Sequence, residues 1–229
     1  MSNHRFDVVF IDFFGTIADG DRCQVEATCR RIVRDYDLSL PAPEFAVRWG
    51  KRFFAVSDQS NHDQFKTLYE IECVSLRQTM SELGVECDPI PYADELQRYW
   101  RNPSLHADAK DALAVLAVPV CCVSNADEAD LQTAFSAHGL RFDGIVSSER
   151  ARSYKPDAGI FQYAMKMMDV SPERCVHVGD SLHSDILGAQ ELGITGIWIE
   201  RDGRIGDIGD SLPDFTIKSL SELELFLGQ

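Results

Sequence analysis

Five short apolar runs constrain this chain more than anything else in it: Asp7 to Ile11, Val118 to Val123, Gly144 to Ser147, Cys175 to Val178 and Thr195 to Ile199. Each is of strand length and rich in Val, Ile or Cys without a polar residue at every second position. That is the pattern of a strand covered on both faces. Helical spacing fills the gaps between the later runs. Leu131, Phe135 and His138 precede Gly139, and Ile160, Phe161, Ala164 and Met168 follow Pro156. Strand and helix in alternation predict an α/β protein, a Rossmann-like parallel sheet flanked by helices. Asp214 to Ile217 reads as a short edge strand and Leu220 to Leu227 as a last short helix. Gly203, Gly206 and Gly209 lie in an acidic stretch with no helix pattern after it, so a surface loop is expected there rather than a phosphate cradle.

The stretch between the first two strands is different. From Asp21 to Trp100 the spacing is helical throughout: Val25, Cys29, Ile32 and Tyr36; Phe45, Trp49 and Phe53; Phe65, Leu68, Glu72, Leu76, Met80 and Leu83; Tyr92, Leu96 and Tyr99. Four helices without a strand read as an insert. The expected division is an α/β core domain of residues 1–18 and 102–229 carrying a helical cap domain of residues 19–101. Trp49, Phe53 and Phe54 form an aromatic stripe that suits either a core or a substrate pocket.

Charge and composition exclude several roles. A net charge of -15, spread along the chain, repels nucleic acid and anionic lipid. It also means that a phosphate site here needs a local positive charge or a metal. No apolar run approaches the roughly 20 residues needed to cross a bilayer. The first residues resemble neither a signal nor a transit peptide, so a cytoplasmic location is expected. The seven cysteines include no CxxC pair and are expected to be reduced, with Cys121, Cys122 and Cys175 acting as small apolar residues in strands.

Four segments carry the polar chemistry. The first strand ends in Asp12-Phe13-Phe14-Gly15-Thr16, which sets a carboxylate at the carboxyl end of a parallel strand, where ligands of open α/β sheets bind. The second runs into Ser124 and Asn125, a hydroxyl and an amide able to bind an oxyanion or to cap a helix. Lys155 sits before Pro156, either a solvated turn or the point charge that an anionic intermediate requires. The fourth run leads into Gly179-Asp180-Ser181-Leu182-His183-Ser184-Asp185, two carboxylates suited to a hard cation.

In this order, at successive strand ends, the four segments resemble the motifs of the haloacid dehalogenase-like hydrolase superfamily, over essentially the whole chain. The resemblance implies a nucleophilic Asp12 that forms an aspartyl intermediate, with Thr16, Ser124 and Asn125 binding the transferring group. It implies that Lys155 neutralises the intermediate. It further implies magnesium, Mg²⁺, held by Asp12, the backbone carbonyl of Phe14, Asp180 and Asp185, and a helical cap closing over the site. The expected partner is a small-molecule substrate, a phosphate ester or acyl phosphate, acted on by a monomer or homodimer.

One position departs from the pattern. Phosphatases of the superfamily carry a second Asp two residues after the nucleophile, as proton donor and acceptor; here that residue is Phe14. Strand alternation turns residues 12 and 14 to the same side, so the phenyl ring is expected to face the site. General acid-base catalysis contributes about 10²–10⁴-fold, so leaving groups that depart unprotonated would be favoured. His183 and His62 are conceivable surrogates. The superfamily's dehalogenases carry an aromatic residue at this position, which makes 2-haloacid dehalogenation the second reading, while the carboxylates of the last motif favour the phosphatase. A weakly active or non-catalytic binding protein of the same fold is the third.

Overall fold

The computed structural model describes residues 5–201 and 209–227. Six parallel strands form one sheet: β1 (Val8–Ile11), β4 (Val120–Ser124), β5 (Gly144–Ser147), β6 (Cys175–Gly179), β7 (Thr195–Ile199) and β8 (Phe215–Ile217), in the order β5-β4-β1-β6-β7-β8. Strand β1 is central, paired with β4 through Val9 and Val120 and with β6 through Ile11 and Val178. Successive strands are laid down to one side of β1 and then to the other. The crevice at the carboxyl end of β1 is therefore the switch point at which such sheets bind ligands.

The alternation of β1 divides the apolar interior. Val9 and Ile11 face a core that includes Val120, Cys122, Val176, Val178 and Ile197 and continues among the helices of the 19–101 segment. Val8 and Phe10 face a second core with Cys121, Val123, Ile160, Phe161 and Cys175. Both faces are covered, which is why these strands read as unbroken apolar runs. All seven cysteines are free thiols.

Helices α1 (Asp21–Asp35), α2 (Ala42–Asp58), α3 (Leu68–Glu82) and α4 (Ile90–Arg101) form the segment between β1 and β4. The chain enters and leaves them through a two-strand neck, β2 (Ala18–Asp19) antiparallel to β3 (Ser104–Leu105), with Ala18 opposite Leu105. The Tyr99 hydroxyl donates to the Asp19 carbonyl at 2.9 Å and ties α4 to this neck. The remaining helices pack on the sheet: α5 (Ala109–Val115), α6 (Glu128–His138), α7 (Ser148–Ala151), α8 (Ala158–Met168), α9 (Gly188–Gln190) and α10 (Glu222–Leu227). No helix among the described residues is long and apolar enough to cross a membrane.

Several boundaries differ from expectation for local reasons. Strand β4 starts at Val120 rather than Val118, because Pro119 has no N–H to add to the ladder, although its carbonyl accepts the Val9 N–H at 3.0 Å. Helix α3 starts at Leu68 rather than Phe65, because Thr67 and Glu70 form a reciprocal capping box. Phe65 instead stacks its ring on Tyr154, centroids 5.3 Å apart. Gly203 and Gly206 lie outside the described residues; Gly209 abuts the last motif, where a Cβ would fall 2.2 Å from the backbone nitrogen of His183.

Candidate active site

The Asp12 N–H donates to the Val178 carbonyl at 2.9 Å and continues the β1–β6 ladder one residue beyond the strand. The next turn is tight: the N–H groups of Ile17 and Ala18 both donate to the Phe13 carbonyl. Gly15 holds φ 94°, and a Cβ there would lie 2.3 Å from an Asp180 carboxylate oxygen. Only glycine meets both demands, the left-handed turn and the close approach of the carboxylate. Thr16 is buried beneath, its hydroxyl 3.5 Å from Asp180 Oδ1.

Strand β4 delivers Ser124, whose hydroxyl lies 3.5 Å from Asp12 Oδ1. Asn125 turns the other way: its Nδ2 donates to the Lys155 carbonyl at 3.0 Å and its Oδ1 accepts the Lys155 N–H at 2.7 Å. The amide thus clamps the Lys155 backbone. Lys155 is 2% exposed rather than a solvated turn. Its Nζ donates to Asp12 Oδ1 at 2.7 Å, Asp185 Oδ1 at 2.6 Å and the Val123 carbonyl at 2.9 Å. Burial alone would lower its pKa, but the two carboxylates outweigh burial and raise it, so the ammonium form is held.

Strand β6 runs into Asp180 and a π-helical turn, Leu182–Leu187, that brings Asp185 back beneath Gly179. A Cβ on Gly179 would fall 2.1 Å from the Asp185 carboxyl carbon, so that glycine makes room for the acid. Asp185 Oδ1 also accepts from His177 Nε2 at 2.8 Å, and Oδ2 accepts the Ser181 N–H at 3.0 Å. Burial pushes Asp185 up, but Lys155 and His177 overcome it and hold the carboxyl far below its ordinary range. Burial lowers the pKa of His177, and among the described residues its Nδ1 has no hydrogen-bond partner. The motif pattern singles out every residue of this cluster except His177 and Val123. His177 sits in an apolar strand, and a polar residue at a position buried on both faces was the available signal.

Above these side chains lies a pocket between the sheet edge and the helical segment. Asp12, Asn125, Lys155, Ser184 and Asp185 line its floor; Val25, Trp49, Phe53, Phe54, Leu68, Glu72, Leu96 and Trp100 belong to its helical wall. The aromatic stripe of α2 therefore serves both as packing and as lining. Phe14 lines the pocket beside Asp12, in edge-to-face contact with Phe13 at 4.9 Å. His183 is elsewhere, 3.3 Å from Asp58, and the largely exposed His62 is 3.6 Å from Asp157; neither lines the pocket.

Oxygens of Asp12, Asp180 and Asp185 lie within 4.8 Å of one another, all three buried. Three carboxylates against one ammonium leave an excess of buried negative charge, and an all-oxygen donor set of this kind suits magnesium.

Comparison with known proteins places the chain. A family model described as haloacid dehalogenase-like hydrolase matches residues 6–193. The pyrimidine 5'-nucleotidase YjjG of Escherichia coli strain K12 is 30% identical, over 97% of this chain and 98% of its own length. The N-acylneuraminate-9-phosphatase of Mus musculus is 25% identical over 75% of this chain and 73% of its own. Among solved structures, the L-2-haloacid dehalogenase of Xanthobacter autotrophicus superposes with a TM-score of 0.76 over 96% of this chain and 98% of that one, at 20% identity, a likeness of fold alone.

Proposed function

The chain belongs to the haloacid dehalogenase-like hydrolases, and from that membership and the buried charge cluster we propose that it is a magnesium-dependent phosphatase of small phosphate monoesters and acyl phosphates. The observation that carries this reading is the trio of buried carboxylates Asp12, Asp180 and Asp185, two of them paired with the Lys155 ammonium. Residues 19–101 act as the cap that selects the substrate, over a core of residues 1–18 and 102–229. Asp12, Asp180, Asp185 and the Phe14 carbonyl would hold magnesium, which when bound neutralises charge on the phosphoryl group.

A carboxylate oxygen of Asp12 attacks phosphorus, and the bond to the leaving oxygen breaks. Lys155, fixed by Asn125, holds the Asp12 oxygen in place and offsets the negative charge that gathers on the transferring group. Ser124, its hydroxyl 3.5 Å from Asp12 Oδ1 at the end of β4, helps to orient it, while Thr16, buried beneath, supports the Asp180 carboxylate. Water then attacks the aspartyl phosphate, inorganic phosphate leaves, and Asp12 is restored. The apolar helical wall excludes bulk water during transfer.

The test is a panel of phosphomonoesters and acyl phosphates assayed with and without Mg²⁺ on wild type and Asp12→Asn. Mg²⁺-dependent release of phosphate, abolished by the substitution, is expected; phosphate release that survives Asp12→Asn, or none at all, rejects the reading. Phe14, an apolar ring beside the nucleophile, favours one second reading, 2-haloacid dehalogenation, in which the leaving halide needs no proton. Halide release from 2-chloropropionate in EDTA would support it in place of the first.

A further inference from the structure

We propose that Glu72 of α3 is the proton donor and acceptor for the leaving oxygen, the role that Phe14 cannot fill; this rests on the phosphatase reading above. Displacement at phosphorus runs in line, so the leaving oxygen points away from Asp12, across the pocket toward the helical wall. Glu72 lies on that wall one turn after Leu68, and both residues line the pocket. The side chain is 8% exposed, and among the described residues its carboxyl makes no hydrogen bond or ion pair. A carboxyl that lines a pocket and is not spent on a neighbouring side chain is available to a ligand there. Its surroundings keep it protonated at neutral pH: burial first, then the negative charge of Asp21, push its pKa up to about 8.

The other charged groups lining the pocket are Asp21 and Arg22 from α1 and Asp12, Lys155 and Asp185 from the sheet edge. Asp21 is the rival acid on the helical side, but it is only half-buried and opens the first turn of α1. The anchor of α3 is firm enough to aim Glu72. The Asp127 carboxylate, at the head of α6, accepts the Leu68 and Tyr69 N–H groups at 2.6 and 3.1 Å.

In the first step the Asp12–phosphorus bond forms, the bond to the leaving oxygen breaks, and the Glu72 proton passes to that oxygen, which departs as an alcohol. In the second, the Glu72 carboxylate takes a proton from the attacking water. The Asp12–phosphorus bond breaks with its electron pair returning to Asp12, and inorganic phosphate and protonated Glu72 result.

The experiment compares kcat/KM for glycerol 2-phosphate, whose alkoxide needs a proton, with 4-nitrophenyl phosphate, whose leaving group does not. Wild type, Glu72→Gln, Asp21→Asn and Asp12→Asn are each assayed with Mg²⁺ across pH 5 to 10. Glu72→Gln is expected to lose about 10²–10⁴-fold on the alkyl ester, at least tenfold more than on the aryl ester. The wild-type alkyl profile is expected to fall as pH rises through about 8, and that limb to vanish in Glu72→Gln. Equal losses on both esters, a loss confined to KM, or a selective loss in Asp21→Asn instead would overturn the assignment while leaving the phosphatase reading intact. If the wild type turns over acyl phosphates but neither ester, the Glu72 assignment falls alone; if it turns over none of them, or Asp12→Asn is without effect, both fall together.

Discussion

Among the described residues Lys155 is the cation that pairs with the buried acids Asp12 and Asp185, and its removal is the most informative change of one side chain. Lys155→Met leaves Asp12 and Asp185 without their counter-charge, a loss that typically costs about 3–5 kcal/mol. Urea unfolding in EDTA is expected to show that loss, with activity abolished; an unchanged midpoint would mean that the cluster is not held by this charge. Phe14→Asp restores an acid beside Asp12 and is expected to raise turnover of alkyl phosphates, measured as phosphate release. Most of these residues are legible in the sequence because strand ends and motif order locate them. What is not legible is contact that depends on the turn: the bond from His177 to Asp185, the room that Gly179 and Gly15 make for acids far along the chain, and the capture of the Asn125 amide by the Lys155 backbone.

Helix α3 is tied at its start to the head of α6, and two buried acids belong to this region, Asp127 at the junction and Glu72 on the helix itself. Asp127 receives two N–H donors at the start of α3, yet burial pushes its carboxyl up to about 6. Asp127→Ala removes the acceptor at that helix end and is expected to cost about 1–2 kcal/mol, read by denaturant unfolding. Glu72, which has no such donors, is pushed the same way and further. Its folded pKa of about 8 stands above its ordinary 4.5, so the native state binds the proton more tightly than the unfolded chain does. Stability from this group is present below pH 4.5 and falls as pH rises toward 8. The Tm of Glu72→Gln relative to wild type is therefore expected to climb between pH 5 and pH 8; a constant difference would mean that Glu72 ionises freely. The four helices were legible from periodicity. Short elements were not: α5, β2 and β3 carry too few residues to show a period, and the π-helical turn has none of its own.

For the molecule as a whole, magnesium is expected to behave as a folding ligand. Binding to the native state alone at a hundred times the dissociation constant adds about 2.7 kcal/mol. For a chain of 229 residues this is a rise in Tm of roughly 5–11 °C. Asp180→Asn is expected to lose that rise in thermal scans with Mg²⁺, and an undiminished shift would place the cation elsewhere. The parallel sheet followed from five apolar runs, though not the order of its strands, and the neck that joins sheet and helices rests on pairing between residues 18–19 and 104–105, which no local pattern announces. Because Ala18 and Leu105 lie side by side, closing the long excursion between them costs only a term logarithmic in its length. A gene that exchanged this excursion for another would leave every pairing of the six-stranded sheet untouched. In such a lineage the chemistry of the strand ends and the helical wall of the pocket would be inherited separately.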